Sequence, residues 1–127
     1  MSTGSDDKSK YKTKHVLSSF RHALSGFSKA VKEERNMKIH LFFTILVVLL
    51  GFFLEVSIVE WLFLLLLIGG VVSLELINSS IENLVDLVTE EYHPLAKKAK
   101  DMAAAAVFIY SIVSIIIGLI IFIPRLW

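Results

Sequence analysis

The stretch Met102-Ala-Ala-Ala-Ala-Val-Phe-Ile-Tyr-Ser-Ile-Val-Ser-Ile-Ile-Ile-Gly-Leu-Ile-Ile-Phe-Ile123 contains no charged residue. A helix needs about 20 consecutive apolar residues to cross the hydrocarbon core of a bilayer, and this stretch is long enough. Two more uncharged runs, 39–54 and 61–74, lie upstream, and no segment alternates apolar and polar residues as a strand does. The sequence therefore predicts an all-α integral membrane protein with three transmembrane helices, over about residues 39–54, 59–86 and 102–124.

The composition agrees with a lipid environment and excludes several classes of function. The 127 residues are 55% hydrophobic, above the roughly 45–50% apolar share of soluble domains, and the mean hydropathy is +0.70. The formal net charge of +1 argues against a nucleic-acid partner, which requires a basic surface. Because the chain has no cysteine, disulfides, thiolate metal sites and cysteine nucleophiles are excluded.

The amino-terminal third is polar and then becomes periodic. Residues 1–14 are rich in Ser, Thr, Asp and Lys and are predicted to be a disordered leader, without the pattern of a removable signal peptide. Residues 15–127 then form the membrane domain, which opens with an amphipathic helix over 15–36 that has a basic face suited to the membrane interface. The alternative interpretation of residues 15–36 is an amphipathic helix that packs on a soluble partner protein instead of the membrane. The apolar stripe consists of Val16, Phe20, Leu24, Phe27 and Val31.

Basic residues are distributed unevenly along the chain. Nine of the thirteen Lys and Arg residues precede residue 39, three more are Lys97, Lys98 and Lys100, and none lies within 39–96. Basic residues that flank spans are retained on the cytoplasmic side during insertion. The amino terminus and the 87–101 loop are therefore predicted to be cytoplasmic, and three spans then place the carboxyl terminus outside.

An acidic ladder leaves the second span on its cytoplasmic side. Glu75, Asn78, Glu82 and Asp86 are offset by 3, 7 and 11 residues, so on a helix they fall within about 80° of one another. Carboxylates at this depth are costly and mark functional sites. A solvated helix end would explain Asp86 and Glu82, but Glu75 directly follows an uncharged run. Three spans alone are not expected to enclose the ladder, so a neighbouring subunit is predicted to cover it.

The ladder suits metal-assisted phosphoryl transfer. Carboxylates and an amide carbonyl are oxygen ligands of the kind Mg²⁺ prefers, and a further carboxylate can act as general base on a hydroxyl. Glu34 and Lys100-Asp101 approach the same membrane face from neighbouring segments, and a lysine there would meet a phosphate. No P-loop, protein-kinase or dinucleotide motif is present, and the four histidines lack zinc-site spacing. A proton or cation pathway remains the alternative at this point.

The segment Glu75-Leu-Ile-Asn-Ser-Ser-Ile-Glu-Asn-Leu-Val-Asp86 strongly resembles the signature of the prokaryotic diacylglycerol kinase family, E-x-x-N-[ST]-[AS]-I-E-x-x-[VI]-D. Residues 91–107 resemble the nucleotide-binding loop and third-helix start of that family, and residues 34–40 resemble its first-span entry. The resemblance covers about residues 16–124. It implies an all-α homotrimer in the bacterial cell membrane, with active sites shared between subunits, that phosphorylates a lipid alcohol with ATP and Mg²⁺.

The resemblance also implies a substrate. The run Glu34-Arg-Asn-Met-Lys-Ile-His40 is similar to the Gram-positive branch, whose members often phosphorylate undecaprenol. Diacylglycerol is the alternative substrate, because both lipids present a primary hydroxyl at the interface with apolar chains below it. A small cation- or proton-relaying membrane subunit is the alternative from a different class of function.

Site residues follow from the same resemblance. Glu75 matches the catalytic general base. Glu75 and Asn78 match the lipid-binding positions. Glu34 and Glu82 match the carboxylates that hold the metal together with ATP. His15 and His22 stand where some members have Arg and Tyr, so nucleotide contacts are not carried over to them. The remaining nucleotide-binding positions match Asp86, Glu91, Tyr92, His93, Lys100 and Asp101.

Overall fold

A computed structural model of the protein describes residues 4–127, with side chains from Lys12 onward. No strand occurs within residues 4–127, which confirms the all-α prediction. Helix α1 forms one compact unit, and the chain from Glu34 to Trp127 forms a second. The elements are α1 (Gly4–Glu33), α2 (Arg35–Phe53), α3 (Ile58–Val88), α4 (Pro94–Phe122) and a short 3₁₀ helix (Ile123–Arg125).

Helices α2, α3 and α4 are each long and apolar enough to cross a membrane, which confirms the prediction of three candidate spans. In this second unit α3 is the central helix, because both α2 and α4 pack against it. The buried core at one end of the spans consists of Val56, Leu64 and Ile121, with Val47, Trp61, Ile117 and Phe122 packed around it.

The predicted leader differs from the structure. Residues 4–14 belong to α1, which begins at Gly4, while residues 1–3 of that leader lie outside the described residues. The sequence from residue 5 to residue 25 has no Gly or Pro and includes several lysines, which are good helix formers, so nothing interrupts the helix. At its other end α1 stops at Glu33 rather than at 36, because Glu34 has extended backbone (φ −91°, ψ 122°) and precedes α2 as its N-cap residue.

The predicted 87–101 loop is also shorter in the structure. Helix α3 continues to Val88 and α4 begins at Pro94, so Lys97, Lys100 and Asp101 lie in a helix rather than in a loop. The cause is local, since Nδ1 of His93 accepts a hydrogen bond from the backbone N–H of Leu95 at 3.2 Å and Pro94 occupies the first turn. A side-chain acceptor followed by proline is a favourable helix start.

The connection between α2 and α3 is tightly specified. Glu55 has a positive φ of 50°, and the backbone N–H of Val56 donates to the carbonyl of Gly51 at 3.1 Å, which is the arrangement of a Schellman C-cap. Ser57 then caps α3, because its Oγ accepts from the N–H of Glu60 while its own N–H donates to the Glu60 carboxylate. This is a capping box.

An ion pair joins the start of α3 to the 3₁₀ helix that follows α4. The guanidinium of Arg125 donates to both carboxylate oxygens of Glu60, at 2.8 and 2.5 Å. Both side chains are partly buried, and two parallel bonds of this type fix the geometry as well as the charge. The pair therefore holds α3 and α4 antiparallel at the end of the spans opposite to the 89–93 connection.

Gly70 allows α4 to approach α3 closely. The hydroxyl of Tyr110 on α4 donates to the carbonyl of Leu66 on α3 at 3.0 Å. A Cβ atom at Gly70 would lie 2.1 Å from that hydroxyl, whereas a Cβ atom at Gly69 would meet nothing within 4 Å. Only the second glycine of the pair is required for packing.

We therefore expect Gly70→Ala to lower stability and Gly69→Ala to preserve it. Alanine is favoured over glycine in a helix by about 1 kcal/mol, so Gly69→Ala should be neutral or stabilising. At position 70 the methyl group displaces Tyr110, and overpacking of this kind costs about 1–3 kcal/mol, so with the same helix-propensity gain Gly70→Ala should still unfold at a lower temperature than Gly69→Ala. Thermal unfolding of both variants in one detergent measures the difference. Equal unfolding temperatures would contradict the close contact.

Candidate active site

Glu75 lies in α3, and its side chain is only 2% exposed. The carboxylate Oε2 is 3.9 Å from Nε2 of His40 on α2. Glu75 also interacts with the side chain of Asn36 and with the charges of Glu34 and Glu82. Asn36 and His40 are four residues apart and so lie on one face of α2. The start of α2 thus supplies polar neighbours to the carboxylate that directly follows the uncharged part of α3.

Asn78 stands one turn beyond Glu75 and is 4% exposed. Its Nδ2 donates to Oε1 of Glu82 at 3.1 Å, and this bond fixes the orientation of the amide. The amide oxygen Oδ1 is buried without a hydrogen-bond partner among the described side chains. A buried acceptor without a partner is uncommon in folded proteins. A ligand that entered beside Glu75 and Glu82 would find a free acceptor in the carbonyl of Asn78.

The exposure of the ladder increases toward its end. Glu75 and Asn78 are buried, Glu82 is half-buried and Asp86 is exposed. The expectation that one chain cannot enclose the ladder is therefore wrong for its first two members, because packing within a single chain already covers them. The solvated-end interpretation applies to Asp86 but not to Glu75.

A cleft of about 360 Å³ adjoins the end of the ladder. The end of α3, the 89–93 connection and the first turns of α4 form its walls. Tyr92 in this wall is 80% exposed, so its ring is accessible to a ligand. The cleft gathers every residue predicted to contact the nucleotide other than Glu34 and Glu82, namely Asp86, Glu91, Tyr92, His93, Lys100 and Asp101.

The basic residues of the cleft are paired with carboxylates. Nζ of Lys100 lies 2.5 Å from Oδ1 of Asp86, and Lys97 pairs with Asp101 one turn away. Exposed pairs such as these contribute little stability, with a median of about 0–1 kcal/mol. A phosphate can therefore compete with Asp86 for Lys100 at small cost.

The ladder fits a metal that arrives with a nucleotide. Within the described part of the chain no three His, Asp or Glu side chains converge as a preformed metal site. The charges of Glu34 and Glu82 both act on Glu75, and the free Oδ1 of Asn78 adds a neutral oxygen. Mg²⁺ usually keeps several waters and takes one or two carboxylates plus substrate phosphates. The donor set matches that mode of binding.

Comparison with known proteins assigns the chain to a family. The family described as prokaryotic diacylglycerol kinase matches residues 21–122. The chain belongs to the prokaryotic diacylglycerol kinase family. The predicted resemblance is therefore confirmed, and this prokaryotic diacylglycerol kinase homologue is a lipid kinase, a phosphotransferase with an alcohol as acceptor.

Relatives within the family act on two lipids. The homologue is 50% identical over 108 residues to the undecaprenol kinase of Bacillus subtilis, covering 85% of this chain and 88% of the relative. It is 39% identical to a diacylglycerol kinase of Synechocystis, over 88% of this chain and 65% of the relative. It is 35% identical to a diacylglycerol kinase of Haemophilus influenzae, over 85% of this chain and 92% of the relative.

Three polar residues near Glu75 join the site in addition to those predicted from the sequence. Asn36 and His40 stand in the sequence only as parts of a family-like run, although their four-residue spacing marks them as a pair on one face of α2. Ser79, which is 6% exposed, lies four residues after Glu75 and so shares its face of α3. The same helical spacing that reveals the carboxylates also includes this serine.

Proposed function

We propose that this lipid kinase transfers the γ-phosphoryl group of ATP to the primary hydroxyl of undecaprenol at the cytoplasmic face of a bacterial membrane. The observation that carries the proposal is the burial of Glu75 in a membrane-spanning helix, on a polar face that continues to Asp86 at the cleft. A carboxylate at that depth meets the hydroxyl of a lipid that stays in the bilayer. The choice of undecaprenol rests on the 50% identity with the undecaprenol kinase.

In this proposal Glu75 is the general base. It accepts the proton of the lipid hydroxyl as that oxygen attacks the phosphoryl group, and Asn78 contacts the lipid beside it. Burial among the apolar residues of α3 limits water near Glu75, which favours the lipid over water as the acceptor. The imidazole of His40 lies 3.9 Å from this carboxylate.

Glu34 and Glu82 would hold Mg²⁺ together with the phosphates of ATP. A bound ion would neutralise the charge that develops on the transferred phosphoryl group. The cleft residues hold the nucleotide, with Lys100 released from Asp86 onto a phosphate and Tyr92 beside the base. Their convergence in one cleft supports this assignment.

The proposal includes a homotrimer that shares active sites and a defined topology. Glu82 is half-buried and Asp86 is exposed, so a neighbouring subunit can contact the ladder at its Glu82–Asp86 end. The basic residues before residue 39 and at positions 97, 98 and 100 favour a cytoplasmic amino terminus and α3–α4 connection, with the carboxyl terminus outside. The exposed apolar side chains of α1, including Phe20 and Leu24, suit a helix that lies in the membrane interface.

The direct test is a kinase assay with both lipids. Purified protein in detergent with Mg²⁺ and ATP should release ADP and convert undecaprenol to its phosphate. We expect kcat/KM for undecaprenol to exceed that for diacylglycerol, because the chain is more similar to the undecaprenol kinase than to the two diacylglycerol kinases compared above. Lipid phosphate is measured by transfer of radioactive phosphate, with a Glu75→Gln preparation as the background control.

Two results would contradict the proposal at different levels. A larger kcat/KM for diacylglycerol would leave the lipid kinase intact and replace its substrate. Failure to phosphorylate either lipid, together with a cation flux through reconstituted vesicles, would support the relay of protons or cations along the ladder instead.

A further inference from the structure

The hydroxyl of Ser79 is buried without a hydrogen-bond partner among the described side chains. Serine and threonine within helices can satisfy the hydroxyl by donating to the carbonyl four residues earlier, and otherwise point it to solvent. Ser80 does so with Leu76, at 2.8 Å, and Ser114 does so with Tyr110. Ser79 does not make this bond with Glu75, although it is 6% exposed and surrounded by protein.

Ser79 lies on the same face of α3 as the ladder. It follows Glu75 by four residues and precedes Glu82 by three, and side chains at these spacings are neighbours, with Cβ atoms about 5–6 Å apart. Oδ1 of Asn78 is the other unpartnered buried polar atom of α3 in the described part of the chain. Both unpartnered atoms therefore occur within about one turn of the proposed base.

The free hydroxyl of Ser79 can donate a hydrogen bond on the face of α3 that carries Glu75 and Asn78. Glu75 and Oδ1 of Asn78 only accept hydrogen bonds, whereas the oxygen of a lipid alcohol offers two lone pairs. A donor to one lone pair fixes the position of that oxygen and leaves the second lone pair free to attack phosphorus. A serine hydroxyl can supply this donor without adding charge to an apolar span.

We infer that Ser79 binds the hydroxyl group of the lipid substrate, donating a hydrogen bond to its oxygen while Glu75 accepts its proton. The inference rests on the proposed lipid kinase function and adds a substrate-binding residue to it. The contact exists as soon as the lipid is bound, so it contributes to the Michaelis complex and to the transition state alike. Interactions of that kind change KM rather than kcat.

The test compares Ser79→Ala with two serine controls. Loss of one uncharged hydrogen bond should raise KM for the lipid about 3- to 10-fold, with kcat within about twofold and KM for ATP unchanged. Ser79→Thr, which keeps a hydroxyl, should restore KM toward the wild-type value. Ser80→Ala removes an adjacent, satisfied hydroxyl, and Ser111→Ala removes another buried, unpartnered hydroxyl on α4; both should leave KM for the lipid unchanged.

The outcomes separate the inference from the function on which it depends. An unchanged KM for the lipid in Ser79→Ala, with wild-type protein active, overturns the inference and leaves the kinase proposal standing. A lower unfolding temperature with unchanged KM means that a buried water satisfies the hydroxyl, which also overturns it. If wild-type protein phosphorylates neither lipid, the proposed function fails and the role of Ser79 fails with it.

Discussion

Replacement of Glu75 by glutamine is expected to lower kcat by about 10²–10⁴-fold, the usual cost of losing a general base. Glutamine keeps the size of the side chain and its polar contact with Asn36, but it cannot take a proton from the lipid hydroxyl. Because Glu75 is 2% exposed, water cannot readily replace it as the acceptor. The loss should appear in single-turnover phosphoryl transfer to undecaprenol, with KM for ATP unchanged.

Glu55→Gln is the matched control for this variant. Glu55 is an exposed carboxylate in the connection between α2 and α3, at the other end of the spans from the cleft. The same substitution there should leave turnover unchanged. Elution volume in size-exclusion chromatography and thermal unfolding should agree for the two variants. If Glu75→Gln retained near wild-type kcat, the proton acceptor would have to be another group, and Glu75 would serve only to position the lipid.

The fold is predictable from the sequence wherever a single local property decides it. Uncharged runs identify the spans, even the two that are shorter than about 20 residues, because a lipid environment leaves the backbone few alternatives to a helix. The helix ends are less predictable. Lys97 and Asp101 look like loop residues by composition, yet the His93 cap and Pro94 place them in α4. Residues 4–14 look like a leader by composition, yet nothing in them interrupts the helix.

The part of the candidate site that lies on α3 is predictable from the sequence. The spacing of Glu75, Asn78 and Glu82 is enough to place them on a common face of α3. The contribution of α2 depends on which face of that helix packs against α3, and the sequence of α2 alone does not define this. His40 beside Glu75 is therefore a result of tertiary packing. The burial of Glu75 within one chain depends on packing in the same way.

The second large effect is expected at Glu82, whose carboxylate has two proposed roles. It accepts the hydrogen bond from Nδ2 of Asn78 at 3.1 Å, and it is a proposed ligand of Mg²⁺ together with Glu34. Glu82→Ala removes both roles. Glu82→Gln keeps an oxygen that can accept from Asn78 but removes the negative charge. The pair of variants therefore separates the orientation of the amide from the binding of the metal.

We expect both variants to require at least about 10-fold more Mg²⁺ for half-maximal activity, since even the loss of a group that only hydrogen-bonds a metal ligand costs about 10- to 100-fold in affinity. Activity should recover in part as Mg²⁺ is raised, and Glu34→Ala should behave similarly. Glu55→Gln is again the control, because Glu55 lies at the other end of the spans from the cleft. Activity is measured as a function of Mg²⁺ concentration at fixed ATP.

Two outcomes would contradict the metal-ligand role. Wild-type activity of Glu82→Gln together with a severe loss in Glu82→Ala would mean that Glu82 serves only to orient Asn78. A loss insensitive to Mg²⁺ in both would exclude Glu82 as a metal ligand.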